Sequence, residues 1–244
     1  MEVAKIILKS KDGRNYLADP FWGGRIALML KILIALAILP LFLILVYSVP
    51  FVRPVSTLMV KDYILFEDVD RQWVSIEDVA PVLINSVMMA EDGQFCSHGG
   101  VDWHQLSLVL DDATDGGPSR GASTITMQTV KNLFLWNGRS YIRKGLEFPL
   151  ALVADSVLSK RRIMEIYLNI AEWGPGIYGI EAAAQHYFKR PASRLTAQQS
   201  ALLAVTLPNP ALRNPAKPTR NMQRIARIIA GRASRAGPYV TCVQ

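Results

Sequence analysis

Two carboxylates, Glu91 and Glu147, stand among amides and cations at helical spacings that suit drawing a proton from a hydroxyl while a departing anion is held. Glu91 closes an apolar run in which Val79, Leu83 and Val87 share one helical face. Ser75-Ile76-Glu77-Asp78 reads as an N-cap with an acidic first turn. That register puts Glu91 near the helix C-terminus, where the dipole disfavours its ionised form. Neighbouring Met and Phe side chains raise its pKa further by desolvation, the condition of a general base or acid. On this stretch alone, a solvated helix end with ordinary surface charges is the more economical reading.

Further on, Thr124, Gln128 and Lys131 fall on one helical face at steps of four and three, with Asn132 beside them. Arg143 and Glu147 are four apart, with Lys144 adjacent. Taken singly, Lys131 fits a solvated face and Arg143/Glu147 a surface ion pair worth only ~0.3–0.5 kcal/mol. Taken together, they form a cationic cradle for a diphosphate beside a second carboxylate, helped by helix N-termini that favour anions.

The elements that must position these groups are almost all helical. The spacing predicts helices over 103–112 (capped by Asp102), from its cap Ser123 to Leu135, from Ser140 to Leu158 with Pro149 as a kink, over 160–169 capped by Ser159, over 177–188, from the Thr196-Ala197-Gln198-Gln199 capping box to Leu207, and over 219–233. A short strand is expected at Thr57–Ile64. The loop at 111–121 is polar, rich in glycine and without periodicity, so it is expected to move.

Half of the 244 residues are hydrophobic and the mean hydropathy is +0.19, high for a soluble protein of this length. The excess lies in residues 26–49, which are long enough to cross roughly 30 Å of hydrocarbon. Lys31 can snorkel, Pro40 is tolerable in a membrane, and Trp22 and Tyr47 fit interfacial positions. A cleaved signal peptide fits less well, since the apolar region is too long and no good cleavage site follows it. Five basic residues at 1–25 place that end in the cytoplasm and the remainder outside it. ATP-driven chemistry and nucleic-acid binding are thereby disfavoured. The net charge of +7 suits an anionic lipid or a phosphate-bearing substrate. Cys96 and Cys242 have no metal-ligand spacing, and whether they pair is left open. The resulting organisation is a cytoplasmic tail at 1–25, a transmembrane helix at 26–49, a linker at 50–70 and a catalytic domain at 71–244.

Four blocks in order resemble the family 51 glycosyltransferases, the peptidoglycan polymerases, over about residues 70–215: Glu91-Asp92 with Phe95, His98, Gly100 and Asp102; Gly121 to Asn132; Arg143-Lys144 with Glu147; and Lys160 with Ile163, Glu165, Tyr167, Leu168 and Asn169. No Ser-x-x-Lys followed by Lys-Thr-Gly marks a transpeptidase, so the resemblance is to the monofunctional biosynthetic transglycosylases. Met127 and Ala122 depart from residues common in the second block, a Gln and a Gly. The Met127 change is expected to remove an amide from the site rim.

The resemblance implies a mainly α, lysozyme-like helical catalytic domain behind one N-terminal transmembrane helix. It implies that Glu91 is the base on the acceptor hydroxyl of lipid II and that Glu147 acts near the leaving diphosphate or a metal bound to it. Lys131, Arg143 and Lys144 would hold the diphosphate, and Ser123, Thr124, Gln128 and Asn132 would line the donor site. Asp92, Phe95, His98 and Asp102 would support the site, with Asp92 orienting neighbours and His98 holding the turn. No cofactor is required with certainty; a divalent cation, Mg or Mn, at the diphosphate is an open expectation. The expected partners are lipid II, the growing lipid-linked glycan, the bilayer of the inner membrane and other cell-wall synthesis or division proteins. Trp73, Phe134, Leu135 and Trp136 are either core or a hydrophobic dip into lipid. Two other readings compete, a lysozyme-like cell-wall cleaving enzyme and a non-catalytic scaffold. The cations at 131, 143 and 144 separate the first, because a hydrolase has no diphosphate to hold.

Overall fold

An apolar run with only Arg25 and Lys31 as charges, both in its first half, folds as a single long helix, α1 (Pro20–Tyr47), with Pro40 inside it. The computed structural model describes residues 20–114, 121, 123–138 and 140–244. Within α1, the 24 residues Gly24–Tyr47 are long and apolar enough to cross a membrane, about 36 Å at the helical rise. The helix starts before residue 26 and stops at Tyr47, two residues short of the expected end, in a turn where Ser48 Oγ donates to Leu45 O. The 1–19 tail and the side chain of Trp22 lie outside the described residues, as do Ala122 and the loop residues 115–120. The chain divides at Leu43 into two compact units.

The second unit, Ile44–Gln244, is helical around a small sheet. Its centre is α3 (Pro81–Glu91), which packs against α9 (Ala197–Thr206) and α10 (Arg220–Ala233). Leu83, Val87 and Met88 of α3 are fully enclosed, each worth about 1.5–3 kcal/mol of transfer free energy at most. A second group of packed helices comprises α5 (Ile125–Phe134), α6 (Tyr141–Val157) and α7 (Lys160–Ile170), with α5 against both others. Ser159 and Thr196 cap α7 and α9 as expected, the latter through a complete capping box, and Ser140, where a helix was expected to begin, caps α6. Between α3 and α5 lies α4 (Trp103–Thr114), with the Asp102 carboxylate accepting from Gln105 N at 2.9 Å.

Several local expectations are corrected. Thr57–Ile64 is not a strand but a helix, α2. Ser56 Oγ accepts from Met59 N at 3.1 Å, and Met59 and Asp62, three apart, both face inward, so the 3.6 period prevails over the β-branched residues. Ser75 does not begin α3: Ile76–Asp78 is a single 3-10 turn, Val79 is extended, and Pro81 opens the helix proper. The helix after Asp102 runs on to Thr114, past the expected loop start at 111. Ser123 is not the cap of α5; Thr124 is, accepting from Met127 N at 3.1 Å. Residues 177–188 are not one helix. Ile177–Tyr178 is strand β3, paired in parallel with β1 (Asp70–Arg71) and antiparallel with β2 (Glu172–Gly174). Gly179, at φ +82°, then turns the chain into α8 (Ile180–Phe188), close to Asn169 O where a Cβ would crowd.

Candidate active site

The last residue of α3, Glu91, opens onto a cleft of about 440 Å³ lined also by Gln94, Asp102, Gln105, Ser123 and Thr124. Its Oε2 accepts from Gln128 Nε2 at 2.9 Å, and Gln128 Oε1 in turn accepts from the buried Tyr167 hydroxyl at 3.1 Å. Tyr167 thus fixes the amide orientation that presents N–H to the carboxylate. Burial raises the Glu91 pKa above its ordinary value and adjacent Asp92 adds to the rise, against the pull of the Gln128 hydrogen bond, Lys131 and Arg213. Oε1 of Glu91 has no hydrogen bond among the described residues.

On α6, Glu147 is buried and held from both sides. Arg143 Nη1 bonds its Oε1 and Lys144 Nζ lies 2.8 Å from its Oε2. Lys144 also donates to Ser123 Oγ at 2.6 Å, which ties this trio to the Glu91 cleft. Burial, then Arg143 and Lys131, push the Lys144 pKa down to about 8. Burial and Arg143 also lower the Lys131 pKa, against the pull of Glu91 and Glu172. The pair at 143 and 147 is therefore no surface bridge, and Lys131 is no solvated side chain. Its position couples electrostatically to the carboxylate on one side and the cations on the other.

Behind Gln128 lies a smaller cavity of about 200 Å³, lined by Gln128, Lys131, Asn132, Tyr167, Glu172 and Tyr178. Glu172 was not foreseen; burial and Asp62 raise its pKa. Nothing in the sequence marks it, because β2 brings it there only after the Gly174-Pro175-Gly176 turn has closed the sheet. Arg213, also unforeseen, is held by Val205 O at 2.6 Å and acts on Glu91 through charge.

The supporting residues divide by role. Asp92 Oδ2 accepts from Ile125 N at 2.9 Å at the start of α5, and both its oxygens face His98 Nε2 at 3.0 Å. Asp92 therefore orients neighbours and His98 holds the turn. Lys160 fastens the same turn: its Nζ donates to His98 O at 2.7 Å and to Asp155, and lies 4.6 Å from the centre of the buried Phe95 ring. Thr124 lines the cleft, but its hydroxyl is committed, donating to Gly100 O at 2.6 Å while it caps α5. Gly100, at φ +87°, permits this, since a Cβ there would meet Ala151 O. Asn169 pins Val74 through both its N–H and its C=O, and Glu165 holds Arg162 at 2.5 Å. Met127 is fully buried in the core rather than at the rim, so its departure from the common residue changes packing and removes nothing from the cleft. Leu135 is buried and Phe134 stacks on Tyr47, whereas Trp136 is half exposed. Trp73 lies under the guanidinium groups of Arg71 and Arg162, and Arg162 also binds the carbonyls of Tyr47, Val49 and Val52. Cys96, in the turn after Glu91, forms a disulfide with Cys242.

For a divalent cation the donor set is poor. Glu147, the carboxylate set among the cations, is taken up by Arg143 and Lys144, and no cluster of three or more His, Cys, Asp or Glu suited to a metal occurs among the described residues. These side chains do not by themselves make a site for Mg or Mn.

A helical unit with a partly desolvated carboxylate on one cleft wall and a half-buried cation cluster tied to the other has the parts of a group-transfer enzyme with an anionic leaving group. The chain belongs to the Transglycosylase family, whose family model matches residues 59–234. It is 84% identical over 223 residues to the biosynthetic peptidoglycan transglycosylase of Brucella suis biovar 1, covering 91% of this chain and all of that protein. It is 64% identical over 211 residues to the protein of the same name from Agrobacterium fabrum, covering 86% and 93% of the two chains.

Proposed function

We propose that this chain is a peptidoglycan glycosyltransferase that polymerises lipid II into β1,4-linked glycan in cell-wall synthesis. The observation that carries the reading is that Glu91 shares its cleft with Ser123, which Lys144 of the Glu147 clasp binds, while the charge of Lys131 acts on both Glu91 and Arg143. Glu91 takes the proton of the acceptor sugar's C4 hydroxyl on Oε1, the oxygen that Gln128 leaves free. The hydroxyl oxygen attacks C1 of the terminal sugar of the growing lipid-linked glycan. The C1–O bond to the diphosphate breaks, the α linkage becomes β, and undecaprenyl diphosphate leaves. Fixed cations at 131, 143 and 144 meet the charge that develops on it, without reorganising at the moment of reaction. Glu147 positions Arg143 and Lys144, and no step requires it to exchange a proton. A glycan-cleaving enzyme would have no use for this cluster, which is why that alternative is not favoured.

In this reading α1 anchors the chain in the inner membrane with its N-terminus cytoplasmic and residues 48–244 outside, where a lipid-borne substrate is within reach. The Cys96–Cys242 disulfide supports that orientation, because such bonds persist in oxidising compartments. The test is polymerisation of lipid II by the detergent-solubilised chain, read as products on a gel. Glu91→Gln is expected to lose at least ~100-fold in rate, the scale of a missing general base. Near-normal polymer from that variant would overturn the role of Glu91, and no polymer from the wild type would overturn the function.

A further inference from the structure

From Ala182 to Gln244 the sequence has no Asp or Glu and ten Lys or Arg, more than the whole chain's net charge of +7. Helix α10 carries the densest part of this charge. Its buried face, Met222, Ala226, Ile229 and Ala233, packs toward α3 and α9. On one flank Arg224, Ile228 and Arg232 follow at steps of four, all exposed, with Arg220 and Arg227 beside them. Arg232 at the end of that flank lines the same cleft as Glu91, together with the half-exposed Tyr239. No carboxylate pairs with Arg224, Arg227 or Arg232 among the described residues; Arg224 reaches only the Asn221 side chain, at 3.0 Å. A folded domain ordinarily intersperses charges of both signs, and so long an acid-free run opposes folding by self-repulsion.

We propose that the flank Arg224–Arg232 is a track for the polymer leaving the cleft, binding the carboxylates of the peptides that hang from its sugars. The inference rests on the glycosyltransferase reading and names a further contact surface for its product. Two observations favour this occupant over a lipid surface. The cationic flank is continuous with the cleft through Arg232, and its helix lies against α3, the element that ends in Glu91. Exposed guanidinium groups hold carboxylates weakly and in succession, as a strand that must slide requires.

The test uses the full chain reconstituted in bilayers of neutral lipid, with lipid II bearing either free or amidated peptide carboxylates. With free carboxylates, R224Q/R227Q/R232Q is expected to shorten the product by about two- to fivefold, the scale of a few exposed ion pairs. The charge-conserving R224K/R227K/R232K should restore most of that length. With amidated peptides, wild type and Gln variant should make equally short product. Equal lengths from wild type and Gln variant on the free-carboxylate substrate would overturn the proposal while leaving the polymerase reading intact. So would a loss that the Lys variant does not restore. A loss that persists with amidated peptides would overturn the proposal, and one that appears only when phosphatidylglycerol is added would assign the flank to lipid. Absence of polymer from the wild type in every arm would mark failure of the underlying reading.

Discussion

At the scale of single residues, the environment of Glu91 makes its activity and its stability pull in opposite directions. Its folded pKa is raised, so the stability it contributes is complete below its unfolded value of about 4.5 and is lost as pH rises through the folded value. The ionised, buried form is a burden on stability that catalysis needs. Glu91→Gln should therefore unfold at a higher temperature than the wild type at pH 7 and at a similar one below pH 4. A lower Tm at pH 7 would contradict this account of the buried charge. Lys144 sets the opposite limb. With its pKa near 8, kcat/KM should rise as Glu91 ionises and fall above about pH 8 as the ammonium is lost. Lys144→Arg keeps its charge and should raise the ratio of activity at pH 9 to that at pH 7. An unchanged ratio would assign the limb to another group, Lys131 being the nearest candidate.

At the scale of elements, the site depends on where α3 ends and α5 begins. Both ends converge on Asp92 and Thr124, which together satisfy the Ile125 and Met127 N–H groups at the start of α5. Thr124 further ties α5 to the Gly100 carbonyl in the turn after Glu91. Thr124→Ala should cost about 1 kcal/mol for the cap alone and more for the carbonyl left without its donor. Urea unfolding at equilibrium measures it, and Thr124→Ser should recover most of the loss. If Ala and Ser variants unfold alike, the hydroxyl does not tie these elements together. Cap signals at Ser159 and Thr196 were legible because they depend on residues within one turn. The start of α3 and the identity of α2 were not. In both, distant packing chose between two locally plausible backbones: Ala80 N bonds Ala192 O, and Thr57 Oγ1 donates to carbonyls of Asn132 and Leu135.

At the scale of the whole molecule, the disulfide closes the catalytic unit on itself, joining residues 146 apart. It fastens the segment after α10, which carries Tyr239 to the cleft, to the turn that follows Glu91. Replacing both cysteines by alanine should cost about 2–4 kcal/mol, chiefly by freeing the unfolded chain, and lower Tm by several degrees. Thermal unfolding of the wild type in reductant should show the same shift, and the variant should be indifferent to reductant. An equal Tm in all samples would mean that the packing of Val240 and Val243 alone holds the segment.

The chemical types at positions 91, 128, 131, 143, 144 and 147, their helical spacing, the apolar span and the helical character of the chain are properties of short sequence windows, and the sequence alone determined them. Which atoms meet was decided only by the tertiary structure. The Tyr167–Gln128–Glu91 relay, the Lys144–Ser123 bond, the approach of Glu172 and Arg213, the pairing of Cys96 with Cys242 and the reach of Arg232 to the cleft join residues from separate elements. The reason is physical. A helical period is imposed by the backbone within a few residues, whereas burial, desolvation and long-range hydrogen bonds exist only once the elements have packed.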